Sequence, residues 1–238
     1  MRHANHCGPD RHTLERAAAL NALDSRALGR ASCYAQRFMR PGTYPYGVVP
    51  GYGQAVASDR PFLIEVGDAE GDAMAQHDIL VTHDELGFEV DRRHITIRTG
   101  DLVLWSGNGR TLAPFAVVGE REFFNSHRMV NECGYSHAFG TAGEYRWVDA
   151  YGSGLCGTVR VRQPDTADRA GFARWHKELQ EGTVVMIQDG RIDRPEVDIV
   201  VGQTVFFAIV TSRGISITDE RLLEIGGSVF QEAPRAAS

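Results

Sequence analysis

The feature that most constrains this 238-residue chain is an internal repeat. Aligned without a gap at an offset of 101, Tyr34, Phe38, Gly42, Tyr44, Tyr46 and Gly51 fall on Tyr135, Phe139, Gly143, Tyr145, Trp147 and Gly152. A second block repeats at an offset of 102, where Ile95, Ile97, Gly100, Val103 and Trp105 fall on Val197, Ile199, Gly202, Val205 and Phe207. Self-similarity at a fixed spacing outranks any local propensity as a guide to architecture, because each copy must solve the same burial problem.

Both blocks read as strands. Ile95, Ile97, Val103 and Trp105 alternate with polar positions, as do Val197, Ile199, Val205 and Phe207, which is the period of a sheet with one buried face. The 26 glycines and 9 prolines suit a fold with many tight turns. Residues 78–162 hold a front block followed by a back block, whereas 32–66 hold a back block alone and 183–230 a front block alone. An isolated half would leave an apolar face and its edges in water, so the orphan halves are expected to pair. The resulting expectation is one intact domain over 78–162 and a second assembled within the chain from residues 1–66 and 183–238. The linkers are then 67–77, small and acidic, and 163–182, which is helical. Helical stripes are read at 13–23 and at 166–179, the latter with Phe172, Trp175 and Leu179 on one face and bridging the two domains.

The back block, an aromatic strand followed by Gly143-x-Tyr145-x-Trp147, a short loop and Cys156-Gly-Thr-Val-Arg-Val161, resembles the C-terminal half of a cupredoxin. Ile95-Thr-Ile-Arg-Thr-Gly-Asp-Leu-Val-Leu-Trp105 looks like that family's strand-Gly-Asp-strand segment. The resemblance implies an all-β chain with two cupredoxin-like Greek-key β-sandwich domains, one of them apparently circularly permuted, and one or two short accessory helices. It also implies a site that this chain does not carry. A blue-copper centre joins one Cys thiolate to two His, usually with a weak axial Met. At the family's Cys position stand Asp149 and Val48, and the loops that follow, Ala150 to Leu155 and Val49 to Gln54, contain no His. His-x-His, the pair from which multicopper relatives build a trinuclear cluster, is absent too.

Other residues carry the remaining chemistry. His127, Cys133 and His137 lie within eleven residues and offer imidazole and thiolate, a set suited to copper or zinc. Strand parity turns Asp149 inward with Tyr145 and Trp147, so its carboxylate needs a hydrogen bond, an Arg or a cation, and it is the candidate catalytic base. Tyr135, Trp147 and Tyr151 are candidate pocket residues. A second soft-ligand group, His3, His6, Cys7 and His12, stands near the N-terminus. His77, His83, His94 and His176 read as surface or capping residues.

A net charge of −6 argues against nucleic acid as a partner. The longest nearly uncharged apolar stretch, 199–210, is too short to span a bilayer, and the first residues lack a secretory pattern, so no membrane association is expected and the cytoplasm is the expected compartment, with free thiols. The resulting expectation is a homo-oligomeric protein with a non-blue metal site, copper before zinc, serving an oxidase or oxygenase that acts on a small organic molecule. The rival readings are a metal-free scaffold for binding or assembly, and metal storage or delivery.

Overall fold

The computed structural model describes residues 23–52, 61–69, 71, 74–107, 112–120 and 124–225. The expected helix at 13–23, except for its last residue, and the cluster His3, His6, Cys7 and His12 lie outside them. Eight strands precede the chain midpoint: β1 (Ser32–Arg37), β2 (Gly42–Pro50), β3 (Phe62–Gly67), β4 (Gln76–Asp84), β5 (Gly87–Val90), β6 (His94–Arg98), β7 (Leu102–Gly107) and β8 (Phe115–Gly119). Eight more follow: β9 (Met129–Ala138), β10 (Gly143–Val148), β11 (Cys156–Arg162), β12 (Thr183–Gln188), β13 (Arg191–Ile192), β14 (Glu196–Val200), β15 (Thr204–Ile215) and β16 (Thr218–Asp219). Helix α1 (Arg169–Glu178) joins β11 to β12, and α2 (Glu220–Ile225) follows β16. The chain is all-β, as expected, and among the described residues no helix is long and apolar enough to cross a membrane.

The strands form an eight-stranded sheet, β13-β12-β15-β9-β1-β7-β4-β5, and two four-stranded sheets, β14-β11-β10-β16 and β6-β3-β2-β8. The repeat is visible in this order: exchanging β1 with β9, β7 with β15, β4 with β12 and β5 with β13 maps the long sheet onto itself. Its centre is the antiparallel pair β1–β9, in register at Tyr34↔Tyr135. Trp105 lies beside Tyr34 and Phe207 beside Tyr135, so the repeated aromatics form one band across four strands. Each small sheet packs on one half of the long one, Tyr46 meeting Trp105 at 5.5 Å between ring centroids and Trp147 meeting Phe207 at 5.4 Å.

This pairing corrects the expected domains. The front block β6–β8 joins the back block that precedes it: β7 pairs with β1, β6 with β3 and β8 with β2. The back block β9–β11 joins the front block that follows, through β15, β14 and β16. The two units are therefore consecutive, β1–β8 and β9–β16, and 78–162 is split between them. Consecutive units leave no orphan half and spare the chain from closing its two ends across a domain, a contact whose entropic cost grows with loop length. The segments 67–77 and 163–182 are consequently connections inside a unit. Helix α1 is capped by Asp168, which accepts from Gly171 N at 2.6 Å, and its Trp175 Nε1 donates to Val201 O at 2.9 Å, so it covers the second unit and bridges nothing.

Residues 23–28 tie the small sheets together. Asp24 bridges to Thr218 at the start of β16, and Leu28 to Phe115 at the start of β8. Asp219 N donates to Leu23 O at 2.7 Å and Ser25 N to Ile217 O at 2.9 Å, while Leu28 N donates to Phe115 O at 2.7 Å. This strap belongs to neither repeated block.

Candidate functional site

The four primary candidates do not converge. Cys133 and His137 lie on the same face of β9, four residues apart, and a strand rise of about 3.3 Å separates them by about 13 Å, with Tyr135 between. Cys133 sits opposite Gln36 and Ile209, and burial pushes its thiol up to about 12, so it is a protonated core group. The Nδ1 of His137 lies 2.9 Å from Ser32 Oγ and 3.3 Å from Tyr135 OH, and its ring is held edge-on to Phe139 at 4.8 Å. His127 stands in the loop before β9, its backbone N donating to Asn125 Oδ1 at 2.8 Å. Among the described residues, no three His, Cys, Asp or Glu side chains are grouped to hold a metal ion. The donor set does not fit copper or zinc.

The inward orientation expected of Asp149 holds, and its carboxylate is saturated. Oδ1 accepts from Tyr151 N at 3.1 Å, Ser216 N at 2.9 Å and Ser216 Oγ at 3.3 Å, and Oδ2 accepts from Ser153 N at 3.0 Å. This knot folds residues 149–155 into a compact loop and fastens it to the chain leaving β15. A carboxylate with four donors, three of them backbone N–H groups, is an organiser of backbone. Tyr135 and Trp147, expected in a pocket, are 0% and 1% exposed and fill the core; a Cβ on Gly157 would stand 2.8 Å from Trp147 Nε1, so glycine there makes room for the indole. Tyr151 alone of the three reaches a cavity, with 46% of its surface exposed.

That cavity is a cleft of about 610 Å³ at one end of the second unit, and three local structures build it. The 149–155 loop supplies Tyr151 and Ser153, with Gly152 and Gly154 at φ of 81° and 80°. The two-residue turn Asp189-Gly190, with φ of 50° and 74°, closes the β12–β13 hairpin in the left-handed geometry such turns favour. The third is a bulge in β15, where residues 212–214 stand opposite Val130 alone, because Thr211 pairs with Asn131 and Ile215 with Met129. Ser212 Oγ donates to Met129 O at 2.7 Å and accepts from Gly214 N at 2.9 Å, which holds the bulge open.

Arg128 crosses the cleft edge. Its guanidinium carbon lies 5.4 Å from the Tyr151 ring centroid, and its side chain runs so close over Gly214 that a Cβ there would meet Arg128 Cγ at 2.6 Å. Neither Arg128 nor Arg213, also on the cleft wall, has a carboxylate within ion-pair distance among the described residues. Asp189 Oδ1 is taken by Thr211 Oγ1 at 2.6 Å. The cleft thus presents two guanidinium groups without a carboxylate partner among the described residues, an aromatic face and the apolar Leu155 and Ile215, beside the hydrogen-bonded Asp149 and Asp189.

A second polar group lies buried beneath the strap. Asp24, 1% exposed, receives Arg26 Nε at 3.0 Å and Nη2 at 2.9 Å, Arg26 N at 3.0 Å, and Tyr52 OH at 2.9 Å. Arg26 lies 5.2 Å from the Tyr52 ring centroid. Burial alone would lower the Arg26 pKa, but the Asp24 carboxylate outweighs it and the guanidinium is held charged. The group continues through Asp24 N, which donates to Tyr135 OH at 3.0 Å, to Ser32 and His137. Neither Arg128 nor the Asp24–Arg26 pair belongs to a recognisable motif. The one local signal for the cleft was Asp189-Gly190, a hairpin dipeptide, which places a turn but not its neighbours.

The thiols offer a direct check on this burial. Cys156 is exposed and Cys133 buried, so alkylation of the native protein followed by peptide mass spectrometry should modify Cys156 quickly and Cys133 only after denaturation. Equal rates at the two sites would contradict the packing described.

A scan against protein-family models finds no match, and neither the curated proteins nor the solved structures contain one that matches the chain.

Proposed function

We propose that the chain is a binding module made of two consecutive cupredoxin-like sandwiches, each with the family's back half ahead of its front half, and that it works without a resident metal. Its ligand is a small molecule with a carboxylate or phosphate group and an apolar body, seated in the cleft beside β15. The observation that carries this reading is Arg128: exposed on the cleft wall, lying against the Tyr151 ring and over Gly214, it has no acidic partner among the described residues. A guanidinium held in place loses little entropy on binding and matches the planar fork of a carboxylate or the oxygens of a phosphate. Leu155, Ile215 and the Tyr151 face supply the apolar lining typical of small-molecule sites. The cupredoxin-like reading supports the placement, since the loop after the Gly-x-Tyr-x-aromatic strand is where that family gathers its ligands, and here the loop is organised by Asp149 instead of a thiolate.

Calorimetric titration with a panel of aliphatic and aromatic carboxylates and phosphate esters tests this. At least one member should bind the purified protein. Arg128→Gln, which shortens the side chain, keeps a polar amide and removes the charge, should weaken that ligand by about 10- to 100-fold, the range of a charge-assisted hydrogen bond. An unaltered affinity in the variant would remove the cleft from the account.

A further inference from the structure

The outer face of the eight-stranded sheet, opposite the two small sheets, has a centre of apolar and small residues on its six middle strands, with Glu89 on β5 and Arg191 on β13 at its two edges. One row of paired residues reads Asp78, Leu104, Ala35, Gly134, Ala208 and Met186 from β4 to β12. The next reads Leu80, Ser106, Cys33, Ser136, Phe206 and Val184. In these two rows only Asp78 carries a charge, on a chain that is 24% charged overall, and the row beyond them, with Gln76, Leu102 and Arg37, is polar. Leu80, Val184 and Met186 are 38%, 40% and 42% exposed. The profile is also shaped: small residues line the β1–β9 seam, and Phe206 lies across Gly134 so closely that a Cβ there would stand 2.2 Å from its ring. The result is a shallow groove flanked by ridges at Leu104 and Phe206, with the Arg37–Glu132 pair, 3.8 Å apart, at its rim.

We propose that this face is the interface of a homodimer, a second copy packing its own eight-stranded sheet against it. Three observations select that occupant. Strands spaced about 4.8 Å apart and about six residues long make the whole face, apolar centre and polar rim together, roughly 35 by 20 Å, or about 700 Å², close to the 800 Å² or so that each partner contributes to a stable complex with that same anatomy. The face is nearly self-similar about the axis between β1 and β9, so ridges and groove recur on both halves and a two-fold partner meets matching relief. Leu23 and Glu220, near the two ends of the described residues, lie on the opposite side: Leu23 O accepts from Asp219 N, and Glu220 pairs with Arg146 on β10 at 3.3 Å. A sheet laid on a sheet buries these residues in the way that sandwich cores do.

The experiment is sedimentation velocity on the full chain at micromolar concentration, alongside Met186→Glu and Leu80→Glu, one on each half of the face, with circular dichroism as the check on folding. The natural chain should sediment at twice its 26.2 kDa mass. Each variant should keep its spectrum and dissociate, its dimer constant raised about 100-fold or more by an unpaired charge in an apolar contact. A monomeric natural chain, or a dimer that persists in either folded variant, overturns the proposal; the first result would return the face to a segment of the same chain.

Discussion

Asp24→Asn is expected to lower the unfolding free energy by about 3–5 kcal/mol, the usual cost of stranding one member of a buried ion pair. Asparagine has nearly the shape of aspartate, and its amide oxygen can still accept from Tyr52 OH or Arg26 N. It cannot balance the Arg26 guanidinium, which is 5% exposed and has its Nε and Nη2 bonded to Asp24. The damage spreads because residues 23–28 strap the two small sheets together, so loosening them frees the edges at Thr218 and Phe115 at once. Urea denaturation followed by tryptophan fluorescence measures the effect. Tyr52→Phe, which removes a single hydrogen bond to Asp24, should cost only about 1 kcal/mol. The double replacement Asp24→Asn with Arg26→Met should recover much of the loss, because the uncompensated charge is then gone. A loss under about 1 kcal/mol for Asp24→Asn would show that Arg26 finds water when its partner is neutralised.

Acid should unfold this protein earlier than its carboxylates alone would require, and His127 is the reason. Burial, only partly offset by the Asp24 charge, pushes the imidazole down from 6.5 to about 4, and its Nε2 has no hydrogen-bond partner among the described residues. The folded chain therefore prefers neutral His127, whereas the unfolded chain protonates it at the ordinary value near 6.5. The stabilisation is complete above pH 6.5 and is lost as the pH falls toward 4, on the order of 3 kcal/mol in total. Thermal melts between these limits should show a steep decline for the natural chain. His127→Gln, which does not titrate, should give a flatter profile in this window. Parallel curves for the two proteins would place the acid sensitivity elsewhere.

Much of the strand architecture was legible in the residues. Alternation put Tyr34, Trp105, Tyr135 and Phe207 on buried faces, and the structure stacks them in register across four strands. It put Asp149 inward with a need for donors, and four donors are there. The ligand inventory failed for a reason of distance. His127, Cys133 and His137 are close in sequence, but an extended strand carries residues apart at about 3.3 Å each, and closeness along a strand is not convergence. Arg128 had no signal of its own, since its partners are a ring and a glycine contributed by other segments, 23 and 86 residues away in sequence.

What the order of amino acids determined by itself is local: the period of two that makes each segment a half-buried strand, the repeat that makes two copies of it, and the glycines where the chain turns left-handed. Each follows from forces between near neighbours, so a short window contains the whole cause. Only the tertiary structure decided which back block closes on which front block, because both copies offer nearly the same edge and the same apolar face, and the choice falls to chain connection. It alone also brought the Asp24–Arg26 pair to Tyr52 and Thr218, and Arg128 to Tyr151, since a buried charge is stabilised by whatever the fold places beside it, at any separation along the chain.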